Sequence, residues 1–156
     1  MTYRRLLILL CVVLTMCLSD RMQARDRSPQ AKFDVPAIEP EPGSHVNEST
    51  SIKATLHYTI DSFEGQPIAY SANLLFDNPM GASGKTSYFV DLGCAGTSQD
   101  LTAASGTITL ECHLREVWSK FRHSKQMGVS FVIVRHRGAN GAPIARSESV
   151  HYVIDR

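Results

Sequence analysis

The 156-residue chain lacks the sequence signatures of the common enzyme classes. It has no G-x-S-x-G nucleophile elbow and no H-E-x-x-H zinc motif. Residues 81–87, GASGKTS, resemble a phosphate-binding loop, but Pro79 stands where that motif requires its first glycine. A catalytic triad can still assemble from residues that are distant in sequence, so a hydrolase with a dispersed site stays open. The sequence nevertheless predicts that the protein is not an enzyme, and it identifies no catalytic residue.

Clustered metal ligands are also missing. The six histidines are scattered, and the four cysteines include no C-x-x-C pair. The similar segments HYTID and HYVID would bring His57 and His151 together if the first and last strands were neighbours, but two histidines do not complete a closed metal site. We therefore predict no metal site and no cofactor.

Strong net charge is absent, since the formal charge of the whole chain is +1. This excludes general nucleic-acid binding, which needs a marked basic excess. The charges are nevertheless segregated: residues 25–100 hold five basic and ten acidic side chains, and residues 101–156 hold eight basic and four acidic ones. The second half can therefore form a local basic face.

The apolar run at the start of the chain is too short to span a bilayer. It covers the thirteen residues 6–18, whereas a transmembrane helix needs about 20. Arg4 and Arg5 precede it, and a polar stretch ending at Ala24 follows, which is the pattern of a secretory signal peptide. Residues 1–24 are therefore predicted to be cleaved, with the mature protein periplasmic or secreted. An uncleaved anchor and a lipid on Cys17 are the alternatives. The protein is expected to contact the membrane only through the signal peptide or through that lipid.

Only two cysteines, Cys94 and Cys112, lie beyond the predicted signal peptide. A single pair in an exported protein predicts one structural disulfide. Closing a loop of this size stabilises the folded state by about 3 kcal/mol in the entropic model.

Residues 25–49 are rich in proline and poor in large apolar side chains. This composition predicts a disordered linker, with a short edge strand possible around Pro36. The sequon at Asn47 would be a glycosylation acceptor in a eukaryotic secretory protein.

From residue 50 onward, short alternating apolar and polar runs are separated by turn residues, which is typical of β-strands. The predicted strands cover residues 51–61, 67–76, 86–94, 107–114, 129–134 and 149–154. Cys112 is in phase with Leu110 and Leu114 and should point inward, and Asn140-Gly141 predicts a hairpin. We therefore predict an all-β domain over residues 50–156, an antiparallel immunoglobulin-like β-sandwich of about seven strands, with a small barrel as the alternative.

Residues 114–125, LREVWSKFRHSK, contain the only tryptophan and several basic side chains. Helical spacing puts Leu114, Val117, Trp118 and Phe121 on one stripe, which predicts a short helix capping one end of the core. The basic side chains would face away and could be joined by the RHR segment. The predicted binding residues are Arg115, Trp118, Lys120, Arg122, Lys125, Arg135 and Arg137.

The first hypothesis for function is a small exported binding module, such as an envelope adaptor, an accessory subunit or a protein inhibitor. Its partner would be a protein or an anionic envelope surface, because arginine and tryptophan are enriched in interface hot spots. A carbohydrate-binding module with Trp118 stacked on a sugar ring is the second hypothesis, and a small hydrolase is the third.

Overall fold

The structure is a computed structural model that describes residues 29–77, 89–90, 94–121 and 123–155. These residues form two packed sheets with almost no helix, which confirms the predicted β-sandwich. The predicted strand at residues 86–94 falls largely outside the described residues, as does GASGKTS. The described strands are β1 (Ala31–Glu39), β2 (His45–Val46), β3 (Ser51–Ile60), β4 (Ile68–Asp77), β5 (Phe89–Val90), β6 (Ser98–Asp100), β7 (Ser105–His113), β8 (Gln126–Arg137), β9 (Asn140–Arg146) and β10 (Val150–Ile154).

The strand order is that of an immunoglobulin-like sandwich. One sheet runs β1-β3-β7, and the other runs β2-β10-β8-β4-β5, with β6 on β4 and β9 on β8. Of the longer strands, the first, second and fourth (β1, β3 and β7) thus share one sheet, while β4, β8, β9 and β10 share the other. All the pairings are antiparallel except the two-residue contact between β2 and β10.

The core lies between the sheets and follows from side-chain alternation. On β3, Ile52 and Leu56 are fully buried while Lys53 and His57 are exposed. Alternate residues of β4 and β8 lie in the core for the same reason, because side chains of a strand repeat their direction every two residues. β8 is central in its sheet, because β4 pairs along one edge and β9 and β10 pair along the other, and its consecutive residues 127–133 are all buried. The run of apolar residues at 129–134 therefore does mark a central strand, as predicted.

The predicted linker does not extend to residue 49, because β1 and β2 lie within it. β1 pairs with β3 along its length and is an edge strand, as proline requires, with a register shift between Asp34 and Ala37 around Pro36. Phe33 and Ile38 pack partly buried against the core. The edge strand that the sequence allowed around Pro36 is therefore present, and it is longer than expected and belongs to the sandwich. Among the residues that the structure describes, the sandwich therefore begins with β1.

The predicted hairpin is present, but its turn is two residues earlier than expected. β8 and β9 are joined through Gly138 and Ala139, and Arg137 pairs with Asn140. Gly138 has a φ of 61°, a left-handed conformation that glycine adopts without steric cost. Asn140 and Gly141 are instead the first residues of the returning strand.

Candidate functional site

Residues 114–121 close one end of the sandwich between β7 and β8. They form a 3-10 turn, Leu114–Glu116, and one α-helical turn, α1 (Trp118–Phe121), rather than a single helix. Leu114, Val117 and Phe121 are buried, and the Phe121 ring lies 5.6 Å from that of Phe76. Trp118 is half-buried and packs against the same core. The predicted core cap is therefore confirmed, and its aromatic residues have fixed positions.

Three of the predicted basic residues surround this cap. Arg115 belongs to the 3-10 turn, Lys120 belongs to α1, and Lys125 directly precedes β8. All three are exposed, and none of their side chains makes an ion pair or hydrogen bond within the described part of the chain. Arg122 lies outside the described residues. We call Arg115, Trp118, Lys120 and Lys125 the Trp118 end.

The structure does not bring Arg135 and Arg137 to the Trp118 end. They lie at the other end of β8, and a strand rises by about 3.3 Å per residue, so roughly 30 Å of strand separates them from Lys125. Arg135 Nε donates a 2.7 Å hydrogen bond to Glu64 Oε2, and this bond raises the pKa of the guanidinium. Arg137 is exposed beside the hairpin turn.

An open pocket of about 560 Å³ lies beside the Trp118 end. Its lining residues are Glu48, Ser49, Thr50, His113 and Arg115. This volume is within the usual range for small-molecule sites. Arg115 and Glu48 face the same pocket without forming an ion pair. The pocket therefore presents a cationic donor and an anionic acceptor that have no ion-pair partner among the described residues.

The turn that supplies three pocket residues, Glu48, Ser49 and Thr50, is held by Asn47. Its Oδ1 accepts hydrogen bonds from the Ser49 backbone N–H at 3.0 Å and from the Ser49 hydroxyl at 2.7 Å. The Thr50 hydroxyl accepts a hydrogen bond from the Asn47 N–H at 3.0 Å. These side-chain bonds to nearby backbone are characteristic of asparagine turns. One wall of the pocket is therefore a fixed turn.

β7 contributes His113, its last residue, to the lining of the pocket. Ser51 and His113 are directly opposed across these strands, and the Ser51 hydroxyl is hydrogen-bonded to His113 Nδ1. Sequence analysis missed His113 and residues 48–50, because residues 48 and 113 are distant in sequence and no motif joins them. The signal available in the sequence is the asparagine-serine pair at residues 47 and 49, which is typical of a turn as well as of a glycosylation sequon.

The described histidines do not form a metal site. His57 lies on β3 and His151 lies on β10. These strands belong to different sheets and are not neighbours, so the two histidines are not brought together as a pair. His57 Nδ1 instead lies 3.7 Å from Asp34, and His45 Nδ1 lies 2.6 Å from Asp155. No group of three histidine, cysteine, aspartate or glutamate side chains with metal-binding geometry exists among the residues that the structure describes.

The predicted disulfide between Cys94 and Cys112 is present. Cys112 points inward from β7, as its phase predicted, and Cys94 lies in the segment before β6. Next to Cys94, the backbone N–H of Ala95 donates a 2.9 Å hydrogen bond to Glu116. The disulfide thus fixes this segment against β7 and the 3-10 turn. Structural disulfides are characteristic of oxidising compartments, which indicates a non-cytoplasmic location.

In the described part of the chain, no helix has the length and apolar character needed to cross a membrane.

Comparison with solved structures finds similarity at low sequence identity. A β-glucosidase from Listeria innocua in complex with isofagomine is 9% identical with a TM-score of 0.43, over 81% of this chain and 16% of the glucosidase. A candidate carbohydrate-binding protein from Bacteroides uniformis is 14% identical with a TM-score of 0.42, over 76% of this chain and 56% of that one. The chain thus matches less than two thirds of either structure. No protein-family model and no curated protein matches the chain.

Proposed function

We propose that the chain is an exported, non-catalytic binding module whose Trp118 end contacts an acidic surface of a protein partner. This proposal rests on three exposed basic side chains at that end. Arg115, Lys120 and Lys125 have no internal partner among the described residues. Cations that are already paired would have to break those bonds before binding, whereas these are available.

The packing of the cap supports this role. Leu114, Val117 and Phe121 fix the backbone that carries Arg115, Trp118 and Lys120. A rigid surface loses less conformational entropy when it binds than a mobile one. Tryptophan and arginine, which are both present at the Trp118 end, are also enriched in interface hot spots.

Export through cleavage of residues 1–24 is part of the same proposal. A chain with one disulfide and an apolar segment preceded by Arg4 and Arg5 fits the periplasm or the extracellular space. Mass spectrometry of the protein recovered from its native host would test it. A mature N-terminus at residue 25 is expected, and a protein that retains residues 1–24 would contradict the cleavage.

The binding function is tested by charge reversal with a matched control at the other end of β8. The mature protein is immobilised and an envelope extract is passed over it, with Lys120→Glu/Lys125→Glu as the test variant and Arg137→Glu as the control. We expect one stoichiometric protein partner that is lost with the test variant and retained with the control. Recovery of no partner, or equal loss with both variants, would contradict the proposal.

The pocket beside Arg115 favours carbohydrate binding as the second candidate. Glu48, Ser49, Thr50, His113 and Arg115 offer both donors and acceptors, and every sugar hydroxyl is both a donor and an acceptor. A glycan array probed with the folded protein tests this, with Glu48→Gln and Arg115→Ala expected to abolish any signal. A blank array obtained with protein whose Trp118 emission is native would remove this candidate.

A further inference from the structure

β7 is one of the two edge strands of the three-stranded sheet, and its backbone hydrogen bonds alternate in direction. The carbonyl oxygen of Ala104 accepts a 2.7 Å hydrogen bond from the N–H of Ile60. The N–H of Leu114 donates a 2.9 Å hydrogen bond to the carbonyl oxygen of Thr50. The backbone N–H and C=O groups of the even-numbered residues therefore point towards β3. In contrast, Glu111 N donates a 3.0 Å bond to Gly96 on the opposite side. Because successive residues of a strand alternate, the backbone groups of the odd-numbered residues of β7 point away from β3.

Within the described chain, only the outward positions at the end of β7, Glu111 and His113, are covered. The segment fixed by the Cys94–Cys112 disulfide crosses the edge at Glu111, where the backbone of Gly96 comes so close that an added Cβ would lie 2.8 Å from the Glu111 carbonyl oxygen. The outward N–H and C=O groups of Ser105, Thr107 and Thr109 have no backbone partner among the residues that the structure describes. All three residues are exposed. We call residues 105–109 the open edge.

The other described edges carry features that prevent further strand pairing. β1 contains Lys32, Asp34 and Pro36 with an irregular register, and β9 contains Pro143 and its own register shift. Charge, proline and irregularity are the usual protections of exposed strand edges. β2, β5 and β6 are only two or three residues long. The open edge, Ser-Gly-Thr-Ile-Thr, has no charge, no proline and no register shift.

We propose that the open edge pairs with the open edge of a second copy of this chain, antiparallel and centred on Thr107. Thr107 would then oppose its own counterpart, and Ser105 would oppose the counterpart of Thr109. The outward groups at these three positions match an antiparallel ladder, in which each hydrogen-bonded pair exchanges two N–H···O bonds. The two three-stranded sheets would become one continuous sheet of six strands with two-fold symmetry.

The chemistry of the open edge favours a second copy as the occupant. Pairing of the edge with itself places serine and threonine side chains opposite each other, and cross-strand pairs of this type are favourable, whereas like charges would repel. The cover at Glu111 limits the ladder to residues 105–109 and so sets its register. The protected β1 edge then lies at both ends of the six-stranded sheet, which stops growth at the dimer.

The proposal is independent of the proposed binding function, because Thr107 and the Trp118 end are separate parts of the molecule. A dimer would carry two Trp118 ends, and a partner with repeated acidic sites would then bind with avidity.

Sedimentation of the purified exported protein over a wide concentration range tests the proposal, with Thr107→Pro as the first variant. Proline removes the outward N–H of residue 107 but none of the hydrogen bonds that β7 makes to β3. Thr107→Val, which keeps the N–H, is the matched control. We expect the wild-type protein and the control to dimerise as concentration rises while the proline variant stays monomeric with unchanged Trp118 emission. Monomeric wild-type protein at every concentration would overturn the proposal.

A second variant and an amide-exchange measurement test the proposal if the proline variant does not fold or if the protein dimerises through another surface. If Thr107→Pro does not fold, Thr107→Lys replaces it, because an exposed lysine leaves the fold intact but opposes an identical charge across the two-fold axis. Amide exchange of the wild-type protein at high and low concentration then locates the interface. The amides of Thr107 and Thr109 should exchange at least about tenfold more slowly in the dimer. A dimer without this protection would place the interface elsewhere and overturn the proposal.

Discussion

Two basic segments, residues 114–125 and residues 135–137, look alike in the sequence, since each combines arginine with histidine. In the structure they lie at opposite ends of β8 and differ in their bonding. Arg135 is paired with Glu64, whereas Arg115 and Lys120 have no side-chain partner among the described residues. A basic cluster is therefore available for recognition only where the fold leaves it without an internal acceptor.

The largest expected effect comes from removing the core side chain that supports the Trp118 end. Phe121→Ala should lower the free energy of unfolding by about 3–5 kcal/mol, because Phe121 is buried and contacts Phe76. Phe63→Ala is the matched change near Arg135. Phe63 is half-buried and its ring stacks on Tyr70 at 4.8 Å, so a loss of about 1–2 kcal/mol is expected. Chemical denaturation measures both, and equal losses would contradict the difference between the two ends.

Loss of the disulfide should affect the same end almost as strongly. Cys94→Ser/Cys112→Ser is expected to lower the free energy of unfolding by about 3 kcal/mol, because the unfolded chain regains the entropy of an open loop. Ala95 bonds to Glu116, so amide exchange should accelerate there and leave the pairing around Arg135 unchanged. Uniform acceleration over both ends would show that the disulfide does not act locally.

High pH should weaken the molecule through Tyr152, whose burial raises its pKa from 10.0 to about 12. Tyr152 pairs with Met127 at the start of β8, on the side of Lys125. The folded state holds the phenolic proton more tightly than the unfolded chain does. The stabilisation is therefore complete below about pH 10 and is lost as the pH rises towards 12, by up to about 2 kcal/mol.

Tyr152→Phe tests this prediction. The variant loses the 3.2 Å hydrogen bond to the Pro40 carbonyl, which costs about 1 kcal/mol at neutral pH. Its free energy of unfolding should then fall less steeply than that of the wild type between pH 10 and 12. Parallel pH profiles for the two proteins would assign the alkaline sensitivity to other groups.

The smallest expected effect distinguishes the paired from the unpaired basic residues directly. Glu64→Gln should lower the free energy of unfolding slightly, because it weakens the bond to Arg135. Lys120→Gln removes no internal bond and should change stability by less than about 0.5 kcal/mol. Thermal unfolding of both variants provides the measurement, and a larger loss for Lys120→Gln would reveal a bond that stabilises the Trp118 end.

Much of the fold could be predicted because alternation is a local property. The periods of two in β3, β4 and β7 identified the strands, the inward direction of Cys112 and the sandwich architecture. The stripe formed by Leu114, Val117 and Phe121 identified the core cap. β1 was not recognised as part of the sandwich, because an edge strand with a proline has a composition close to that of a linker.

The candidate site was only partly predictable. Arg115, Trp118, Lys120 and Lys125 are close in sequence, so a local pattern was enough to select them. Arg135 was grouped with them although it bonds to Glu64, because sequence distance along a strand does not show at which end a side chain lies. The pocket needed the pairing of β3 with β7, which brings residues 48–50 close to His113.

By itself, the sequence determined which residues face the core, where a disulfide is available and which segment combines tryptophan with basic side chains. These properties follow from local spacing and composition. The tertiary structure alone decided which arginines are paired, which residues line the pocket and which strand edge is left open. Each of those depends on the pairing of strands that are distant in the chain, and alternation along one strand carries no information about its neighbour.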